Sequence, residues 1–160
     1  MLLSALLVSG PLVAAEYSGR ARVIDGDTIS IRQQRIRLGA IDACERDQTG
    51  LKDGAMWKCG LVARSHLAKL VDGKHVRCIV FDTDQYERLV AQCFSQDVDV
   101  GLEMVKAGQA ALLLQYLPSS HPIDLHEYHV AEDSARARRR GLWGAQVERP
   151  SSYRRDRRHN

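Results

Sequence analysis

None of the four cysteines in this 160-residue chain falls in a Cys-x2-Cys pair, which excludes the common four-cysteine metal sites. The two histidines of His126-Glu127-Tyr128-His129 stand three apart, not the four of a zinc-protease helix, and they read as the start of a helix. No EF-hand is present, because the further ligands and the closing glutamate at loop spacing are missing. No internal repeat is visible. No lysine or arginine precedes the opening run MLLSALLVSGPLVAA, and its fifteen residues are too few for a comfortable membrane span.

That opening run is apolar, uncharged and ends in small residues that a signal peptidase could cut before Glu16, so residues 1–15 read as a secretory signal. The alternatives are an uncleaved anchor and a buried N-terminal strand. The expected protein is therefore exported, periplasmic or secreted, with no stable membrane span once the signal is cleaved. An even number of cysteines in an exported chain suggests two disulfides, for which three pairings exist. Cys78 and Cys93 lie on two expected strands flanking a turn near Gln85 and Tyr86. A hairpin would bring them opposite each other and leave Cys44 with Cys59. Buried free thiols are the alternative.

A net charge of +3 conceals an uneven distribution. Nine arginines face only Glu148 and Asp156 between Arg136 and Asn160, a surplus of seven, so residues 1–135 carry −4. From Val147 onward the composition predicts a basic disordered tail, either simply solvated or working on a polyanion.

Short alternating or apolar runs predict five strands, at Tyr17–Val23, Thr28–Arg32, Arg35–Ile41, His75–Phe81 and Arg88–Phe94. Between the third and fourth, Met56, Leu61, Val62, Leu67 and Leu70 recur at helical spacing up to Gly73. A second helix is expected over Asp99–Lys106. A third starts near Ile123–Leu125 and runs toward Gly141, with Trp57 and Trp143 as packing anchors. This element order is that of an OB-fold, a five-stranded barrel carrying three helices here, so the fold class is α+β, mainly β. One OB-fold domain over residues 16–146 accounts for the chain between the signal and the tail at 147–160.

The chemistry concentrates in three segments. In VIDGDTI, Asp25 and Asp27 flank a glycine where one strand turns into the next, and two carboxylates so close repel unless a cation joins them. With Asp42 a strand away they make an all-oxygen set suited to Ca2+ or Mg2+; the alternative is a plain polar turn. In IRLGAIDACE, Arg37, Asp42 and Glu45 interrupt an otherwise apolar strand, and each is costly to bury unpaired. In DTDQYERLVA, Arg88 follows a polar turn. A carboxylate base and two arginines around a divalent cation are what phosphodiester cleavage requires.

VIDGDTI, RIRLGAIDACE and YERLVA, in this order, resemble the signature segments of the staphylococcal nuclease (thermonuclease) family of secreted Ca2+-dependent nucleases. The resemblance extends from about Tyr17 to Trp143. It implies Asp27 and Asp42 as Ca2+-binding carboxylates, the Ala43 carbonyl facing the same cation, and Asp25 behind them. It implies Glu45 as general base, Arg37 and Arg88 gripping the scissile phosphate, and Tyr86 and Tyr116 near the nucleotide. The implied activity is hydrolysis of DNA or RNA leaving 3'-phosphate ends, by an expected monomer. Cys44 stands where the family usually has proline, Ala43 where the best-known member has a hydroxyl residue, and Glu87 where glycine is usual. Leu114 replaces a tyrosine and Gln85 a lysine. If the turn at Glu87 needs a positive φ, the side chain strains it by about 1 kcal/mol or more. Two other readings compete with the enzyme: a noncatalytic OB-fold that binds nucleic acid in the cell envelope, and a structural envelope protein with its arginine tail on anionic lipid.

Overall fold

A computed structural model describes residues 15–157. Of the expected signal only Ala15 lies within that range, so the rest of that expectation falls outside the described residues.

Five strands curl into a barrel: β1 (Ala15–Val23), β2 (Thr28–Ile31), β3 (Gln34–Leu38), β7 (His75–Thr83) and β8 (Leu89–Ser95). Neighbours in the order β3-β2-β1-β7-β8 pair antiparallel, and a parallel pairing of β3 with β8 closes the ring. Closure leaves these strands without an open edge, as in an OB-fold. Ile29, Ile31, Ile36, Leu38, Val76, Cys78, Ala91 and Cys93 fill the interior. Cys78 and Cys93 are directly opposed in the register and joined by a disulfide, as the hairpin argument expected.

The third strand ends at Leu38, short of the expected Ile41, because Ala40 turns the backbone at φ +64°. The chain then makes β4 (Ile41–Ala43), which pairs with β10 (Ala110–Leu112) outside the barrel. A second small pair, β5 (Gly50–Lys52) with β6 (Ala55–Trp57), went unexpected although Asp53-Gly54 between them has φ of +51° and +78°, a hairpin turn with both central residues left-handed. The remaining strand, β9 (Val98–Asp99), extends β8 by a tight turn.

Helices α1 (Cys59–Val71), α2 (Val100–Lys106) and α3 (Leu125–Ala137) match the three expected ones, except that Met56, counted into the first, lies on β6 and is exposed. The inward stripe of α1 is Cys59, Gly60, Ala63, Leu67 and Val71, whereas Leu61 and Val62 are exposed at 45% and 37%. Small residues line the first turn because the helix there approaches neighbouring backbone closely. Asp99 caps α2, and its carboxylate also accepts the Tyr128 hydroxyl of α3 at 2.9 Å. Buried Glu132 of α3 accepts the Leu112 amide of β10 at 2.8 Å, which braces the β10–β4 pair from behind. A 3-10 turn follows at Gly141–Gly144, with Trp143 packed under Arg136.

Disorder was expected from Val147 onward. Instead Pro150–Arg157 form a fourth helix, α4, with proline in the first turn where its missing N–H costs nothing. Its arginines reach carboxylates of the β4 region, contacts that composition cannot reveal. Among the described residues no helix is long and apolar enough to cross a membrane.

The Cys44–Cys59 disulfide ties the end of β4 to the first residue of α1 across a separation of 15 residues. Closing a loop of that size stabilises by roughly 3 kcal/mol. Replacing both cysteines with alanine should lower the unfolding free energy by about that amount in chemical denaturation; an unchanged midpoint would show that the loop is held by other contacts.

Candidate active site

The turn from β1 to β2 brings Asp25 and Asp27 together around Gly26. The Asp27 amide donates to Asp25 Oδ1 at 3.3 Å, and Arg64 of α1 holds the turn by donating to the Ile24 carbonyl at 3.1 Å. Gly26 is required here, because a Cβ would collide with the Ala43 and Ala63 methyl groups. Asp27 is buried, with Oδ1 accepting the Thr28 hydroxyl at 2.9 Å and Oδ2 accepting the Ala43 amide at 3.4 Å.

Arg37 on β3 faces this turn from the next strand. Its Nη2 lies 3.2 Å from Asp42 Oδ1 and 3.5 Å from Asp27 Oδ2, while Nη1 donates to the Ile41 carbonyl at 3.1 Å. Burial opposes the charge on Arg37, yet Asp27 and Asp42 outweigh it and raise its pKa. Burial also favours protonation of Asp27, but Arg37 and the Thr28 hydroxyl hold it below the ordinary carboxylate value. Asp42 is raised by burial against the pull of its arginine partners. Asp25, with burial and the charge of Asp27 acting on it, is pushed up to about 6.

Glu45 sits on the loop after β4. Its amide donates to Gln48 Oε1 at 3.1 Å and its carbonyl accepts the Gln48 amide at 2.9 Å. Gln48 is 1% exposed, and its Nε2 donates to the Glu148 carbonyl at 2.8 Å. Gly60, in the first turn of α1, lies so close that a Cβ would overlap the Glu45 carbonyl. Disulfide, Gln48 and Gly60 together hold the loop in one place.

Asp25, Asp27, Arg37, Asp42, Ala43 and Glu45 thus form one cluster. A cation here would take its protein oxygens from Asp27, Asp42 and the Ala43 main chain. Among the described residues no group of three or more His, Cys, Asp or Glu side chains is placed to hold a metal, so the remaining ligands of a cation here would be water. Two carboxylates, a carbonyl and water make a hard-oxygen set that fits Ca2+ and offers nothing to a softer metal.

Arg88 stands apart from these carboxylates. It precedes β8, whose parallel pairing places Val90 opposite Arg37, and its guanidinium is bound by Asp84 at 2.7 Å. Tyr86 is 54% exposed with the Arg88 guanidinium 5.4 Å from its ring centroid, and Tyr116 is 74% exposed on the loop beyond β10. Glu87 adopts φ +59°, so the position usually held by glycine does need the left-handed region, and glutamate occupies it at a cost. His126 and His129 are exposed on α3.

The family described as staphylococcal nuclease homologue matches residues 35–145. The chain belongs to the staphylococcal nuclease family. It is 35% identical over 143 residues to an uncharacterized endonuclease of Escherichia coli O157:H7, covering 86% of this chain and 84% of that protein. The succinoglycan biosynthesis protein ExoI of Rhizobium meliloti is 35% identical over 150 residues, which cover 91% of this chain and 75% of ExoI. A probable staphylococcal-like nuclease of Oryza sativa, CAN2, is 33% identical over 134 residues, covering 83% of this chain and 32% of its own length.

Three residues around the family's cluster escaped the sequence reading: Gln48, Asp84 and Arg154. Asp84 had a signal, because aspartate at the head of a polar turn commonly accepts amides two residues on and beyond. Its Oδ1 accepts the Tyr86 amide at 2.9 Å and the Arg88 amide at 3.1 Å. Gln48 and Arg154 had none. Arg154 reaches Glu45 from 109 positions away, with Nη1 at 2.8 Å from Oε1 and 2.6 Å from Asp42 Oδ1.

Asp84 gives a pH dependence. Burial pushes its carboxyl up, but Arg88 and the two amides outweigh this and hold it below the usual carboxylate value of 3.8. Its stabilisation is therefore present above pH ~4 and lost as pH falls through the lower folded value. Asp84→Asn should remove that part of the acid limb, making unfolding free energy less steep with pH below ~4; an unaltered acid limb would show that the ion pair contributes nothing there.

Proposed function

We propose that this protein is an exported, Ca2+-dependent nuclease that hydrolyses phosphodiester bonds in DNA or RNA and leaves 3'-phosphate ends. The observation that carries the reading is the gathering of Asp27 from one segment and Arg37, Asp42 and Glu45 from another into one cluster, in which Arg37 joins Asp27 to Asp42 and Arg154 joins Asp42 to Glu45. Family membership and relatives named as endonucleases support phosphodiester hydrolysis. Two disulfides favour an oxidising compartment.

In this mechanism Glu45 accepts the proton of the attacking water, and its loop fixes where that water stands. The P–O5' bond breaks, and a proton is delivered to the departing 5' oxygen. Arg37 and Arg88 neutralise the charge that grows on the phosphoryl oxygens, for which planar guanidinium groups are better shaped than ammonium groups. Asp27, Asp42 and the Ala43 carbonyl would hold Ca2+, which when bound adds positive charge beside the phosphate. Arg37 is already oriented by two carboxylates and a carbonyl, so little reorganisation is needed at the moment of reaction. Arg88 is oriented by Asp84 at 2.7 Å.

A general base contributes about 10²- to 10⁴-fold. Glu45→Gln should lower kcat on single-stranded DNA by that range while leaving the fold and Ca2+ binding intact, and EGTA should abolish turnover by the parent. Parent-like cleavage by Glu45→Gln would remove Glu45 from the role of base. Salt-sensitive binding of nucleic acid with no cleavage in Ca2+ would point to a noncatalytic binding module.

A further inference from the structure

Helix α4 lies against β4 with little of its surface fully buried. Among its residues only Pro150 is buried, so attachment rests on polar groups. Gln48 holds the chain just before it through the Glu148 carbonyl, Arg157 pairs with exposed Asp47, and Arg154 enters the cluster. Arg154 Nη1 bridges Asp42 Oδ1 and Glu45 Oε1, the same Asp42 oxygen that Arg37 approaches from the other side at 3.2 Å.

We propose that Arg154 is a tethered cation that holds the divalent-cation seat of this site, so that docking of α4 and binding of Ca2+ exclude each other. The proposal rests on the nuclease reading above and assigns that site a regulator carried by the same chain. Charge balance supports it. With α4 docked, Asp27, Asp42 and Glu45 face two guanidinium groups, Arg37 and Arg154. With α4 released they face one, and the two uncompensated negative charges match a dication. A dication on Asp42 and a guanidinium on the same carboxylate would repel across a few ångströms of poorly solvated space.

Release would also free Glu45. With Arg154 Nη1 2.8 Å from its Oε1, that carboxylate has one oxygen occupied and less room for a water than an unengaged one. Docking therefore blocks two functions with a single side chain. Release would also melt the helix. Eight residues are well short of the ~12–15 at which an isolated helix begins to hold together in water, so α4 exists only while it is docked. Arginines 154, 155 and 157 would then be carried on an unfolded arm beside the site.

The test is Ca2+ affinity of the full-length protein by calorimetry, together with amide hydrogen exchange of residues 150–157 with and without Ca2+. Arg154→Gln removes the competing cation, and Asp47→Asn loosens α4 at a position outside the cluster. Both should tighten Ca2+ binding, Arg154→Gln by about tenfold if one chain in ten is undocked in the parent, and Arg154→Lys should restore part of the competition. Ca2+ should strip exchange protection from 150–157 in the parent. Equal Ca2+ affinity in parent and both variants, with α4 still protected in Ca2+, would overturn the exclusion while leaving the nuclease reading intact. A weaker grip on nucleic acid in Arg154→Gln, with Ca2+ affinity unchanged, would overturn it too and make Arg154 a substrate contact. Failure of every variant to bind Ca2+ would overturn the metal reading itself and the exclusion with it.

Discussion

Arg37 is the point on which fold and site both depend. Its strand pairs with β2 on one side, Thr28 opposite Arg37, and with β8 on the other, Val90 opposite Arg37, so the residue lies where the barrel closes. Its guanidinium, 14% exposed, joins Asp27 and Asp42, whose side chains are 11% and 3% exposed. A buried ion pair of this kind adds little net stability over an apolar replacement, because desolvation consumes most of the Coulombic gain. Removing one partner is another matter, since it leaves buried charge uncompensated. Closure in this register sets Arg37 beside the Asp27 turn, and the turn at Ala40 folds Asp42 of β4 back onto the same guanidinium, so none of the three is buried without an opposite charge. The charged cluster is thereby a consequence of the fold and also a condition of it.

The two walls of the site are held by different means. On one wall, the loop of Glu45 is fixed by covalent and steric constraints: the Cys44–Cys59 bond, the bare Gly60 backbone and buried Gln48. Cysteine in place of the family's usual proline exchanges a local backbone restriction for a cross-link to α1. Arg88, on the other side, is held without any cross-link, through one aspartate that pairs with its guanidinium and organises its own turn. The second wall is therefore the softer one, and it is also the one that carries the strained backbone of Glu87.

Much of this was legible in the sequence where the determinants are local. Period-two alternation located the five barrel strands, and the hairpin argument set Cys78 against Cys93. The charged interruptions of an apolar strand pointed to Arg37, Asp42 and Glu45. What stayed hidden was of two kinds. The inward face of α1 is built from Cys59, Gly60 and Ala63, small residues selected by close backbone approach, so hydrophobicity alone pointed to Leu61 and Val62, which lie outside. Helix α4 has arginine and serine where a self-sufficient helix would place an apolar stripe. Its folding is decided by carboxylates about a hundred residues earlier, and no local pattern records that.

The site concentrates interactions that a sequence chosen for stability alone would avoid. Asp25 and Asp27 repel each other across a glycine, Asp42 is raised by burial despite its arginines, and Glu87 occupies a left-handed conformation. Such conflicts gather where a protein is shaped for a ligand, and stability is recovered elsewhere, here in the closed aliphatic barrel and the two disulfides. The two electrostatic conflicts share a sign. An excess of negative charge is held in place by rigid surroundings, and each feature that relieves it, whether Arg37, Arg154 or a divalent cation, does so by bringing positive charge to the same few oxygens. Arg37 is built into a strand and cannot leave. Arg154 stands on a short helix whose one buried residue is Pro150, and in the proposed exchange it is the partner that leaves. A fixed partner and a removable one on the same carboxylate are what a site needs if it is to stay folded while exchanging its cation.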